Sequence, residues 1–153
     1  MSQTRIDRPE FAALTPGVSE ALLALGKAIN DSGLEKDLLE LIKLRASQLN
    51  GCAFCLQFHL NVARQLKMPQ SKLDLLPVWR EAPVFSPREQ AALAWTEALC
   101  TPAAGIEDPL YETALAEFGK AQLSYLTAAI ANINAWNRIA GALRFLPPLP
   151  SSP

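Results

Sequence analysis

The dipeptide Asn50-Gly51 constrains the fold of this chain more than any other feature, because it separates two segments that both read as helix. From about Leu34 to Leu49, Leu38, Ile42 and Leu49 recur at helical spacing along one side. A second helical segment starts near Cys52 and continues to about Lys67, stopping before Pro69. Two helices joined by so short a turn fold back on one another, so the expected unit is an antiparallel helical hairpin.

The rest of the chain carries the same punctuation, and nothing in it reads as a strand. Ser19 is placed to cap a helix running to about Asp31, with Gly33 just beyond its end. Pro69, Pro77 and Pro83 bracket an irregular stretch with room for one or two helical turns. Ser86-Pro87-Arg88-Glu89 combines a capping serine, proline at the first helical position and glutamate at the third, which starts a helix reaching about Cys100 and turning Ala91, Trp95 and Leu99 toward a core. Further helices fit Pro109 to Phe118 and Gln122 to Arg144. The fold class expected is therefore all-α: one helical domain over residues 1–146, followed by a Pro-rich tail, 147–153, that is extended or disordered.

Composition narrows the function classes. The chain has 153 residues, enough for one domain with a real core, and half of them are hydrophobic while 19% are charged. A net charge of −1 with acids and bases interspersed offers no phosphate-binding surface, so no nucleic-acid partner is expected. The polar start "MSQTRIDRPEF" has no signal-like apolar stretch, and the longest weakly polar run, "LTAAIANINAW", is interrupted by Asn132 and Asn134. No membrane association and a cytoplasmic location follow as expectations, and in that compartment a cysteine pair points to catalysis or metal binding. Leu-rich faces on several short helices exceed what one small bundle must bury, which anticipates a homo-oligomer.

The chemistry concentrates in "NGCAFCLQFHL", where Cys52 and Cys55 stand three apart and His59, the only histidine, follows four residues later. At ~100° per residue Cys55 lies about 60° from Cys52 around the helix axis and His59 only about 20° from Cys52. All three side chains share one face, and Cys55 and His59 stand at the spacing of touching neighbours. Both sulfurs sit in the first helical turn, where the dipole favours thiolate. Two other readings compete: inert cysteines packed on a core-facing stripe, and a zinc ligand set. A structural zinc site needs about four ligands; the chain has no second C-x-x-C or H-x-x-x-H, leaving only the distant Cys100 or Glu40 to complete one.

Glu40 enters through the hairpin. It lies about 15 Å before the turn and His59 about 12 Å after it, at ~1.5 Å per residue, so the two stand at similar height on adjacent helices. A carboxylate reaching His59 would fix its tautomer and raise its basicity toward Cys55. Lys36 and Lys43 flank Glu40 at helical spacing, so a solvated ion-paired face is the competing reading. The nucleophile stays open on these grounds: the helix dipole favours Cys52, and contact with His59 favours Cys55.

With these residues in hand, the run "ELIKLRASQLNGCAFCLQFHLNVAR" resembles the core motif of the alkylhydroperoxidase AhpD-like proteins of the carboxymuconolactone decarboxylase superfamily. Glu40, the C-x-x-C twelve residues on and His59 four after its second cysteine match that motif in spacing, and the likeness continues through "WREAPVFSPREQAALAWTEALC" and "INAWNRIAGALRF". The resemblance implies an all-helical, cofactor-free thiol peroxidase that assembles into trimers or hexamers. It implies that Cys55 attacks a hydroperoxide, that Glu40 acts as base through His59, and that Cys52 resolves the sulfenic acid to a disulfide. A partner dithiol, of lipoyl type, then reduces that disulfide. One departure stands out: Phe54 occupies the place where the best-characterised branch carries a second histidine. The rival functions are non-redox lactone decarboxylation, whose members generally lack the C-x-x-C, and a zinc-stabilised or redox-sensing interaction module.

Other residues have plainer expectations. Trp79, Trp95 and Trp136 are expected to pack rather than line a cleft. Asn134 and Asn137 lie on an apolar face of the last long helix, where they are expected to bond across a subunit interface or locally near the helix end. Cys100 is expected as a buried structural thiol.

Overall fold

The computed structural model describes residues 3–150. Among these residues there are helices and connecting turns and no strand, in the order α1 (Arg8–Leu14), α2 (Pro16–Asn30), α3 (Lys36–Leu49), α4 (Ala53–Gln65), α5 (Gln70–Leu75), a 3₁₀ segment (Leu76–Glu81), α6 (Pro87–Cys100), a 3₁₀ turn (Pro102–Ala104) and α7 (Asp108–Leu143). The fold is an all-α bundle, as the punctuation implies.

Local chemistry sets the boundaries. Asp7 caps α1 by accepting the Glu10 backbone N–H at 2.8 Å. At Thr15-Pro16 the chain bends, and α2 starts with Pro16 in its first turn; Ser19, expected as its cap, is buried inside the helix instead. Proline's fixed φ suits the first helical turn, and that overrides the serine three residues later. At Ser86 the full capping box forms, the serine hydroxyl accepting the Glu89 N–H and the Glu89 carboxylate accepting the Ser86 N–H. α7 is broken at Gly119, whose φ of 65° lies in the left-handed region, so its two parts match the two helices expected there.

α3 is the central element. It gives Leu38, Leu39 and Ile42 to a core shared with α6 and α7, Leu41 and Leu44 to a second core with α4 and the α5 region, and Ala46 to a third around Cys52, Cys55 and Phe145. Burial on several sides explains why no single stripe describes it: Leu49, expected on the buried side, is 44% exposed. Each Leu sealed this way contributes about 1.5–3 kcal/mol of transfer free energy.

Among the described residues no single helix is long and apolar enough to cross a membrane; α1 and α2 pass such a test only together, and they meet at a bend of 112°. Residues 145–150 carry no regular secondary structure, and the Pro148 carbonyl accepts a hydrogen bond from the Asn61 amide at 2.9 Å. Residues 151–153 of the Pro-rich tail lie outside the described range.

Candidate active site

The turn between α3 and α4 delivers the cysteines. Gly51 takes φ 65°, its N–H bonding the Gln48 carbonyl at 3.3 Å while the Cys52 N–H reaches back to the Ser47 carbonyl at 3.0 Å. This left-handed stop satisfies the last carbonyls of α3 and turns the chain at once into α4. Cys52 is both the end of that stop and the cap of α4: its Sγ accepts the Cys55 backbone N–H at 3.3 Å. Cys52 and Cys55 are paired as a disulfide with their Cα atoms 5.4 Å apart. They are 2% and 3% exposed.

The structure brings all four sequence-derived residues to this hairpin. Glu40 is only 5% exposed, and its two oxygens are both engaged. Oε2 lies 2.7 Å from His59 Nδ1, and Oε1 accepts from Lys43 Nζ at 2.8 Å. Burial works to raise the Glu40 carboxyl, but the hydrogen bond and charge of His59, with Lys43 beside it, outweigh that and hold it below the usual carboxylate range. With Nδ1 held by Glu40, the second ring nitrogen of His59 is the one left to exchange protons with a ligand. Lys43, whose spacing suggested a solvated face for Glu40, instead completes a partly buried trio around the buried carboxylate.

Beside these residues opens a cleft of about 420 Å³. Cys55, His59 and Lys43 line it from α3 and α4, Leu22 and Leu23 from α2, and Ile133 and Trp136 from α7. Cys52 is not among its lining residues; it lies behind, in the core with Ala46, Ile133, Ala140 and Phe145. Phe54 and Phe58 form an aromatic wall, their rings stacked at 6.1 Å, with Phe145 edge-on to Phe54 at 5.3 Å and Phe58 edge-on to His59 at 5.2 Å. Phe54 thus shapes the cleft at the position where a second histidine would stand.

Several cleft residues were not anticipated. Trp79 and Trp95 are buried in the cores, as expected, but Trp136 lines the cleft and meets Phe11 of α1 edge-on at 6.3 Å. Arg8, at the first position of α1, reaches over Phe58 and Phe54, 5.3 and 5.9 Å from their centroids. The signal for α1 was present: Asp7-Arg8-Pro9-Glu10 has a cap, an early proline and a third-position glutamate, the grammar also used at Ser86.

At the other side of the turn lies a cluster of side-chain amides, with Arg138 donating to Asn134 Oδ1 at its edge at 2.9 Å. The Asn50 amide donates to the side-chain oxygens of Asn134 and Asn137, both at 2.9 Å, and Asn137 donates to Ser47 Oγ at 3.1 Å. The expectation of interface or local bonding for Asn134 and Asn137 is corrected in part: Asn134 does bond the local Ile130 carbonyl at 2.9 Å, yet both residues also tie α7 to the hairpin turn. Cys100 is half-buried beside this cluster, its sulfur 3.6 Å from the Asn134 amide, and burial pushes its thiol up. Among the described residues, no group of three or more His, Cys, Asp or Glu side chains is arranged to hold a metal ion.

Comparison with known proteins agrees with this picture. The Carboxymuconolactone decarboxylase family matches residues 16–98. The Bacillus subtilis (strain 168) protein YdfG, itself uncharacterised, is 32% identical over 89% of this chain and 93% of its own length. A crystal structure of an Agrobacterium tumefaciens protein of unknown function, for which a role as the antioxidant defence protein AhpD has been suggested, superposes with a TM-score of 0.91 at 39% identity, covering 97% of this chain and 100% of that one. A peroxidase-related, uncharacterised protein from Silicibacter sp. TM1040 superposes with a TM-score of 0.75 at 25% identity, over 84% of this chain and 69% of that one. With its helical hairpin, cysteine pair and fold all in agreement, the chain belongs to the carboxymuconolactone decarboxylase family and has the AhpD-like fold.

Proposed function

We propose that the chain is a thiol-dependent peroxidase that reduces organic hydroperoxides through Cys55 and Cys52. The observation that carries this reading is an asymmetry between the two sulfurs: Cys55 lines the cleft together with His59, whose far nitrogen Glu40 holds, whereas Cys52 lies behind it. The suggested antioxidant role of the Agrobacterium protein and the peroxidase relation of the Silicibacter one support it.

The cycle begins from the dithiol. His59 takes the Cys55 proton, and the thiolate attacks the terminal oxygen of R–O–OH. An S–O bond forms as the O–O bond breaks, and the alkoxide takes the proton from His59 and leaves as alcohol. Glu40 stabilises the imidazolium between these two transfers. Cys52 then attacks the sulfenic sulfur, forming the S–S bond and releasing water. An external dithiol, of lipoyl type, returns two electrons and two protons. Attack on Cys55, the sulfur facing the cleft, makes Cys52 the leaving group. The Cys55 N–H and the start of α4 would receive that developing thiolate. Exposed apolar side chains on α1 and α2, Leu14, Val18, Leu23 and Leu25, support assembly into a homo-oligomer through that face.

Sulfenic-acid trapping with a dimedone probe separates the two cysteines. Cys52→Ser exposed to one equivalent of hydroperoxide is expected to gain the adduct on Cys55, and Cys55→Ser to gain none. An adduct on Cys52 in the Cys55→Ser variant, with none in Cys52→Ser, would reverse the assignment.

A further inference from the structure

We infer that the cleft selects apolar hydroperoxides that carry a carboxylate, with Arg8 as the residue that recognises the anion; this rests on the peroxidase reading of the same site.

Charge bookkeeping around the cleft singles out Arg8. Three basic side chains line it: Arg8, Lys27 and Lys43. Lys43 is bound to Glu40 at 2.8 Å, and Lys27 is paired with Asp31, the acidic residue that also lines the cleft. Arg8 has no acidic partner and no hydrogen-bond partner among the described residues; its only recorded contacts of charge are the faces of Phe54 and Phe58. The rest of the lining is largely apolar, with Leu22, Leu23, Ile133 and Trp136 facing the two phenylalanines. The cleft therefore combines an apolar chamber, a thiol at its wall and one uncompensated guanidinium.

That combination fits one ligand chemistry. The volume of about 420 Å³ suits a small organic molecule rather than hydrogen peroxide alone. Guanidinium presents a planar fork of donors that matches a carboxylate, and stacking on two aromatic faces restricts its motion before a ligand arrives. A hydroperoxide with an apolar body would lie along Phe54, Phe58 and Trp136, its acid group at Arg8 and its peroxide at Cys55. Phe54, the departure from the two-histidine pattern, then serves as the surface that both carries the substrate body and steadies Arg8. Docking of α1 by Phe11 against Trp136 and Phe145 holds that arginine over the cleft.

Three peroxides test this on the reduced protein: cumene hydroperoxide, its para-carboxylate and the methyl ester of that acid. The readout is the single-turnover rate of thiol loss at low and high salt. The acid is expected to react about tenfold faster than the ester, the size of one charge-assisted hydrogen bond. Salt should narrow the gap. In Arg8→Gln the acid-to-ester ratio should fall to about one, while Arg64→Gln, which removes the same charge from α4 outside the cleft, keeps it. Binding supplies a second readout: para-isopropylbenzoate, which has no peroxide, should bind the oxidised protein in an Arg8-dependent way, and para-isopropylbenzamide should not. Equal rates for acid and ester in the wild type would overturn the inference while leaving the peroxidase reading intact. Oxidation by none of the three would overturn the peroxidase reading and this one with it.

Discussion

Two polar clusters sit on the same hairpin and are built from opposite materials. Toward the middle of α3, Glu40, Lys43 and His59 form a trio of ionisable side chains that borders the cleft. At the end of that helix, Asn50, Asn134, Asn137 and Ser47 form a cluster of neutral amides and a hydroxyl that reaches across to α7, where Arg138, whose charge does not titrate, also donates to Asn134. The first can gain, lose and pass a proton. The second holds the turn that carries Cys52 by hydrogen bonds alone. On the proposed reading this hairpin separates proton handling from scaffolding, although both clusters must bury polar groups, and burial is tolerable only when every group is paired.

Substitutions break the comparison in different places. Replacing His59 with alanine should slow peroxide-driven thiol loss by about 10²–10³-fold, the range of a lost acid–base group, and should also lower the thermal unfolding midpoint, because Glu40 Oε2 is left buried without its partner. Asn50→Ala should leave the chemistry alone and act on stability only. It leaves the buried oxygen of Asn137 without its donor, while that of Asn134 keeps Arg138, so urea unfolding should show a loss of about 1–2 kcal/mol, while the disulfide still forms with peroxide. Gly51→Ala forces a side chain into the left-handed region at the same turn and should cost about 1 kcal/mol in the same assay.

The smallest effect is one of pH, and only the cluster that holds Glu40 carries it. The Glu40 carboxyl is held below its ordinary value of 4.5 in the fold. Its contribution to stability is therefore complete above that value and is lost as pH falls through the lower folded one. A series of urea midpoints in this acid window should fall less steeply for Glu40→Gln than for the wild type. For Asn50→Ala the curve should run parallel to the wild type, because an amide does not titrate.

How far the sequence anticipates these clusters follows from the range of the interactions. Glu40 meets His59 because both lie on helices joined by a short turn, so helical rise alone sets them at the same height. The capping box at Ser86 is likewise written within four residues. The asparagine cluster is not local: Asn50 and Asn137 are separated by 87 positions, and an amide on an apolar helix face gives no direction to its partner. Leu49 escaped because α3 is buried on several sides, which erases the single stripe that periodicity seeks. Arg8 and Trp136 meet at the cleft only through the docking of α1 on α7, a contact that no spacing rule encodes. The motif residues were thus readable, and the chamber around them was not.

A thiol count tests the redox couple most directly. The chain has three cysteines, so the fully reduced protein should titrate three thiols under denaturing conditions. After one equivalent of organic hydroperoxide it should titrate one, Cys100, and a dithiol of lipoyl type should restore the other two. Cys55→Ser, starting with two thiols, should keep both. A wild-type count that stays at three after peroxide, or a pair lost equally in Cys55→Ser, would contradict the claim that Cys55 and Cys52 form a peroxide-driven redox couple.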